Sequence, residues 1–392
     1  MKITLSLLLA LLLPVFAYAK PGPATASKTE PVIDVAGSAP KLAARGYLLY
    51  DYTTSQILHE QNGHERFEPA SLTKLMTAYL AFSALKQGKL SLNQKVIPSN
   101  YAIRAQRSES RLFLERGKEV SIDELLHGLI IVSANDAARA LAETIAGNEA
   151  EFAELMNKEA QRMGLADTHF VNSTGLPDPL HYSSAHDLAL LSATILHDFP
   201  EHFQLYSQRE YEFNHIKQYN RNRLLWLDPY VDGMKTGHTE TGGYSLVASA
   251  KRDNHRLISV VLGTTTEHLR SSESQRLLNH GFQDFDIFFL YKKNEAVSNL
   301  RLWKGTENTV KVGIREGLTL TLPKGMRPLL KATIETQQPL LAPVADGQQL
   351  GVLKLTLDGK PYMELPLVAL EPVPLVNIFS RGIDSIRMIF SK

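Results

Sequence analysis

The 392-residue chain contains no cysteine. That excludes a disulfide framework and a thiolate metal site, and leaves no cysteine to carry a lipid after the N-terminal apolar run. No charge of one sign prevails either, since 42 Lys and Arg face 41 Asp and Glu. Without a net field to draw a polyanion, nucleic acid is not an expected partner. Long apolar runs are scarce. The one in "MKITLSLLLALLLPVFAYAK" falls short of the ~20 residues a spanning helix needs, and no second run reaches that length. Metal and phosphate signatures are missing as well. His59 and His64 each precede a Glu, but Gly63 and Glu68 stand where HExxH needs its second histidine. There is no G-x-S-x-G elbow and no glycine loop for phosphate. Neither a metal nor a cofactor is expected.

What is present falls into five stretches. Lys2, the apolar run 3–16 and the small residues Ala17 and Ala19 form a cleavable secretory signal over 1–19. Residues 20–39, rich in Pro, Ala, Ser and Thr, read as a linker. Residues 40–290 begin and end in strands with helical patterns between, which predicts an α/β (α+β) domain: an antiparallel sheet against a helical cluster. "YSLVASAK" and "RLISVVLGT" alternate around "RDNH" as a hairpin should, and "SSESQRLLNHGFQDFDIFF" is expected to close the domain as a helix. Residues 291–371 are short alternating strands with an Asp-Gly turn at 358–359, the pattern of a small all-β sandwich. In 372–392, Leu375, Phe379, Ile383, Ile386 and Phe390 share one helical face, with Arg381, Asp384 and Arg387 opposite. Such a helix suits attachment to a membrane surface.

The chemistry centres on three short motifs. Ser-x-x-Lys occurs at 38–41, 71–74 and 83–86. The first lies in the linker and the third near the Gly88 stop of its helix. Only Ser71 opens a helix, "EPASLTKLMTAYL", where the i, i+3 spacing brings Lys74 to its side. "SAN" at 133–135 follows the apolar "LLHGLIIV", so a buried segment delivers Ser133 and Asn135 to a polar site. "KTG" at 235–237 precedes the hairpin, and Gly237 is expected to let a ligand's backbone come close to the strand. In this order the three motifs resemble the set shared by class A β-lactamases and penicillin-binding proteins.

Longer segments narrow the resemblance. "ASLTKLMTAYL", "SANDAARALAE", "YNRNRLLW" and "VDGMKTGHTETGGYSLVASA" are similar to the low-molecular-mass D-alanyl-D-alanine carboxypeptidases, the type-5 penicillin-binding proteins; only Ala134 departs from the second motif. The resemblance implies a β-lactamase/transpeptidase-like fold and a periplasmic enzyme on the outer face of the inner membrane. Its substrate would be the peptidoglycan stem peptide, and β-lactam antibiotics its inhibitors. Under that reading Lys74 must be neutral to take the Ser71 proton, and Lys235 is expected to supply the positive charge that lowers its pKa. Ser133 would pass a proton to the leaving D-alanine and Asn135 would bond the substrate's amide. Thr236 and Gly237 would pair with the peptide. The resemblance implies that the N–H groups of Ser71 and His238 hold the oxyanion and that Arg270 faces the third motif. Arg270, or second Arg221, would bind the terminal carboxylate. Two other readings are a β-lactamase and a non-catalytic wall-binding or shape-maintaining protein. Against the first, "GLPDPLHYSSAHD" offers no Glu-x-x-x-Asn-like loop; against the second stands the intact trio.

Overall fold

The computed structural model describes residues 40–104 and 109–377. The signal 1–19, the whole linker 20–39 and the tail from residue 378 lie outside the described residues.

Five antiparallel strands form the central sheet: β1 (Gly46–Asp51), β2 (Gln56–Gln61), β3 (Val231–Thr239), β4 (Gly243–Arg252) and β5 (His255–Thr264). Their spatial order is β2-β1-β5-β4-β3. The expected hairpin is β4–β5, turning at Asp253 with φ 51°. The apolar alternation of β1 and β5 sorts side chains to two faces. Leu48, Tyr50, Ile258 and Val260 join the core under the helical cluster. Leu49, Leu257 and Val261 join a second core with Leu277 and Leu278.

The helical cluster comprises α1 (Lys74–Lys86), α2 (Ile122–His127), α3 (Asn135–Ala146), α4 (Glu149–Met163) and α5 (Ala185–Asp198). The long α6 (Glu267–Asp284) carries Leu277 and Leu278 to the opposite face. α1 is buried on all sides from Lys74 to Phe82, as befits a helix apolar around its whole circumference. Each of its large side chains contributes roughly 1.5–3 kcal/mol by leaving water. Lys74 is therefore a lysine in the core and does not snorkel to the surface.

Three local expectations are corrected. The stretch 121–146 reads as one helix, but α2 passes into a wide π turn, Gly128–Val132, and breaks at Ser133 before α3. α6 ends at Asp284; the aromatic run after it, Phe285–Tyr291, is a strand paired with Leu318–Pro323, as its β-favouring residues dictate. The sequence boundary at 290–291 thus cuts through a strand. Val373 and Leu375 bridge Val344 and Gly305, so the expected tail helix does not begin at 372.

The C-terminal part is β-rich. Its six-stranded sheet includes the hairpin Gln349–Leu357/Lys360–Ala369, which turns at Asp358 and Gly359 with φ 50° and 76°, the two positive φ values of a type I′ turn.

Candidate active site

One turn of 3-10 helix, Ala70–Thr73, leads into α1 and carries Ser71. Ala70 before it holds φ 48°, and Ser133 across the cavity holds φ 63°. Strained backbone of this kind clusters at functional sites. Ser133 ends the π turn, its N–H donating to the Gly128 carbonyl, and Gly128 itself packs so closely that a Cβ would lie 2.7 Å from Leu112 Cδ2. The turn thereby ends with the serine facing the cavity.

The cavity is about 700 Å³ and is lined by Ser71, Ser133, Asn135, Thr236, Gly237, His238, Arg221 and Arg270, with Glu109 and Thr174. A separate depression of about 610 Å³ beside Tyr52, Leu190 and Arg256 contains none of the motif residues. The remaining two sequence-predicted residues, Lys74 and Lys235, are buried at 1% and 3% exposure. Every residue expected at the site therefore converges on one place.

Lys74 Nζ donates to Ser71 Oγ at 3.0 Å and to the Thr174 carbonyl at 2.6 Å. Burial, then the nearby charges of Arg139 and Arg221, brings its pKa down to about 7. Desolvation dominates this shift and the arginines come next, while the repulsion between Lys74 and Lys235 bears on Lys235. Lys235, which donates to the Thr236 carbonyl at 3.2 Å, is itself held well below an ordinary lysine by burial and by Lys74, Arg221 and Arg270.

Gly237 also has a packing reason that spacing did not reveal. A Cβ there would lie 2.8 Å from the Pro69 carbonyl oxygen and 3.3 Å from Ala70 Cβ. The close approach is made by the Ser71 turn, packed against β3. On the other side of that turn, a Cβ at Gly175 would meet the Ala70 carbonyl oxygen at 1.7 Å, and Gly175 has φ +83°. The nucleophile's turn is therefore clamped between β3 and the loop 171–177.

His181 secures that loop. Its Nδ1 accepts the Val171 N–H at 3.1 Å, so the ring proton sits on Nε2 and is donated to Thr73 Oγ1 at 2.8 Å. Burial lowers its pKa to about 4, which keeps this tautomer neutral. Glu68 latches the end of β3 through Thr239 Oγ1 at 2.7 Å.

Arg270 is 4% exposed and donates to Glu267 Oε1 and to the Arg221 carbonyl, at 3.1 and 3.3 Å. Its Nε is buried without a hydrogen-bond partner among the described residues. Arg221 is exposed at the cavity mouth, and the His238 ring packs on Tyr244 at 4.0 Å.

Sequence reasoning alone misses Glu109 and Arg139. Arg139 lies four residues after Asn135, on the same helical face, and its NH2 donates to Glu109 Oε2 at 2.8 Å. That spacing was the available signal for Arg139. Glu109 gave none, because "RSES" reads as a solvated loop.

Set against known proteins, the chain finds relatives along most of its length. The family profile described as D-alanyl-D-alanine carboxypeptidase matches residues 33–266, and the profile of the penicillin-binding protein 5 C-terminal domain matches 285–375. D-alanyl-D-alanine carboxypeptidase DacC of Escherichia coli is 41% identical over 358 residues, 90% of either chain. DacA of Haemophilus influenzae is 43% identical, covering 87% of this chain and 88% of its own. The solved structure of penicillin binding protein 5 from Haemophilus influenzae superposes with a TM-score of 0.82 at 43% identity, covering 86% of this chain and 99% of that one.

The architecture is accordingly that of the penicillin-binding protein 5 class, an α/β transpeptidase-type domain followed by a β-rich C-terminal domain. Within that class the chain belongs to the D-alanyl-D-alanine carboxypeptidase family, and is a serine-type D-Ala-D-Ala carboxypeptidase.

Proposed function

We propose that this carboxypeptidase removes the terminal D-alanine of peptidoglycan stem peptides through an acyl-enzyme on Ser71. The observation that carries the reading is the buried Lys74 Nζ, 3.0 Å from Ser71 Oγ. Neutral Lys74 takes the hydroxyl proton as Oγ attacks the carbonyl carbon of the penultimate D-alanine. The backbone N–H groups of Ser71 and His238 hold the oxyanion. Ser133, tuned by Lys235, passes a proton to the departing amine, and the C–N bond breaks to release D-alanine. Water then hydrolyses the ester. Asn135 bonds the substrate's amide while β3, which among the described residues is an edge strand paired only with β4, receives the peptide through Thr236 and Gly237 as an added strand. Arg270 with Thr236, and second Arg221, binds the terminal carboxylate. The buried, unpartnered Arg270 Nε supports that assignment.

β-lactams acylate the same serine but leave no departing group, so the adduct persists. Penicillin-binding protein D2 of Listeria monocytogenes, 30% identical over 63% of this chain with a TM-score of 0.59, has been solved in a cefotaxime-bound form. The region where a β-lactamase would need a deacylating carboxylate delivers a backbone carbonyl, that of Thr174, to Lys74. We place the enzyme in the periplasm, attached to the outer face of the inner membrane by the amphipathic tail. Support for the attachment is the sequence pattern of the tail.

Purified protein should release D-alanine from a pentapeptide ending in D-Ala-D-Ala and take a lasting fluorescent penicillin label. Ser71→Ala should abolish both. Absence of D-alanine release by the wild type, or labelling of the Ser71→Ala variant, would overturn the reading.

A further inference from the structure

Glu109 lies in the wall of the catalytic cavity with its side chain only 6% exposed. A carboxylate so far from water requires donors, and it has two from α3. Asn135 Nδ2 donates to Oε2 at 2.7 Å, and Arg139 NH2 donates to the same oxygen at 2.8 Å. Arg139, with a side chain 7% exposed, also donates through NH1 to the Arg104 carbonyl at 2.8 Å.

The consequence for Asn135 is geometric. An ionised carboxylate only accepts, so the Asn135 atom facing it is the amide nitrogen, and one of its two hydrogens is committed there. A planar carboxamide held at one N–H cannot flip. Its second N–H and its Oδ1 are therefore presented in fixed directions. The backbone beneath is tied as well: Asn135 N–H donates to the Ser110 carbonyl at 2.8 Å, and Asp136 accepts the N–H groups of Leu112 and Leu114 at 2.8 and 3.1 Å.

We infer that Glu109, anchored by Arg139, is a positioning residue for acylation: it locks the Asn135 carboxamide in the orientation that receives the amide of the bound peptide. The inference rests on the Ser71 reading above and deepens it, since it concerns recognition of the acyl donor's amide and not the nucleophile. It selects acyl donors that carry an amide next to the scissile carbonyl.

The test compares acylation of Ser71 by benzylpenicillin, which has a side-chain amide, with acylation by 6-aminopenicillanic acid, which lacks it. Glu109→Ala should slow benzylpenicillin about 10-fold or more, the scale of one lost hydrogen bond to a charged group. The rate for 6-aminopenicillanic acid should stay within about threefold of wild type on the same scale. In an Asn135→Ala background the Glu109→Ala change should add nothing, because its effect runs through Asn135. Glu109→Gln keeps an acceptor for Asn135 and should restore most of the preference. Should Glu109→Ala fail to fold, Glu109→Leu/Arg139→Met replaces the buried pair with apolar side chains of similar size and should lose the same preference. Equal slowing of both β-lactams, additivity with Asn135→Ala, or an intact preference in both Glu109 variants would overturn the inference. In each of those outcomes wild-type labelling at Ser71 would remain, so the carboxypeptidase reading would stand.

Discussion

Lys74 shows how a residue's neighbours decide its chemistry. Ordinary lysines are charged at neutral pH, and a charged lysine cannot take a proton from serine. Here burial, assisted by Arg139 and Arg221, lowers the pKa to about 7. The sign is then fixed: below that value the ammonium predominates and acylation falls, and above it the free amine accumulates and acylation rises. Ser71, Lys74, Ser133, Asn135 and Lys235 were legible as candidates because their three motifs resemble the set shared by β-lactamases and penicillin-binding proteins. Glu109 and Arg139 were not, since their role comes from a contact between a loop and a helix 30 residues apart in sequence. The packing of Gly237 against the Ser71 turn was hidden for a related cause: spacing does not reveal which distant segment comes close.

Hairpins were the most legible elements. β4–β5 and the pair joined at 358–359 show β-favouring residues around recognised turn residues, although β4 and β5 are buried on both faces. The hairpin Glu210–Phe213/Ile216–Tyr219 escaped because it turns at Asn214 and His215, with φ 48° and 58°, and histidine is not among the usual residues for that geometry. The break between α2 and α3 was hidden because apolar residues run on from α2 through 129–132 as they would in a buried helix. Tertiary packing of Gly128 on Leu112 and the delivery of Ser133 override that pattern. The loop 171–177 is the element on which the nucleophile's turn rests. Gly175→Ala adds a Cβ that collides with the Ala70 carbonyl, in a backbone conformation unsuited to alanine. Loss of about 1–3 kcal/mol of stability is expected, together with a larger fall in penicillin acylation than in secondary-structure content. Thermal unfolding and stopped-flow labelling check both, and unchanged acylation would show that the turn does not depend on this loop.

At the scale of the molecule, the two parts are joined by a buried polar junction, which the separate patterns of 40–290 and 291–371 gave no means to read. Thr321 Oγ1 donates to Asp51 Oδ2 at 2.6 Å, and the Thr321 N–H donates to Gln56 Oε1 at 2.7 Å. Gln56 Nε2 donates to Tyr362 OH at 2.7 Å, while His255 Nε2 lies 2.8 Å from Asp51 Oδ2. Asp51 is fully buried, so each of its partners matters. Thr321→Val removes one donor and should cost about 1–2 kcal/mol, seen as a lower unfolding midpoint with penicillin acylation essentially unchanged. An unaltered midpoint would mean that the junction adds nothing to stability.

The central claim is that a neutral, buried Lys74 is the base for Ser71. It is tested most directly by the second-order rate of penicillin acylation measured from pH 5 to pH 10 on the wild-type enzyme. The rate should rise tenfold per pH unit on the acid side and level off near pH 7, the value set by burial. A rate that is flat across the range, or that keeps rising toward ~10.4, where an unperturbed lysine titrates, would contradict it.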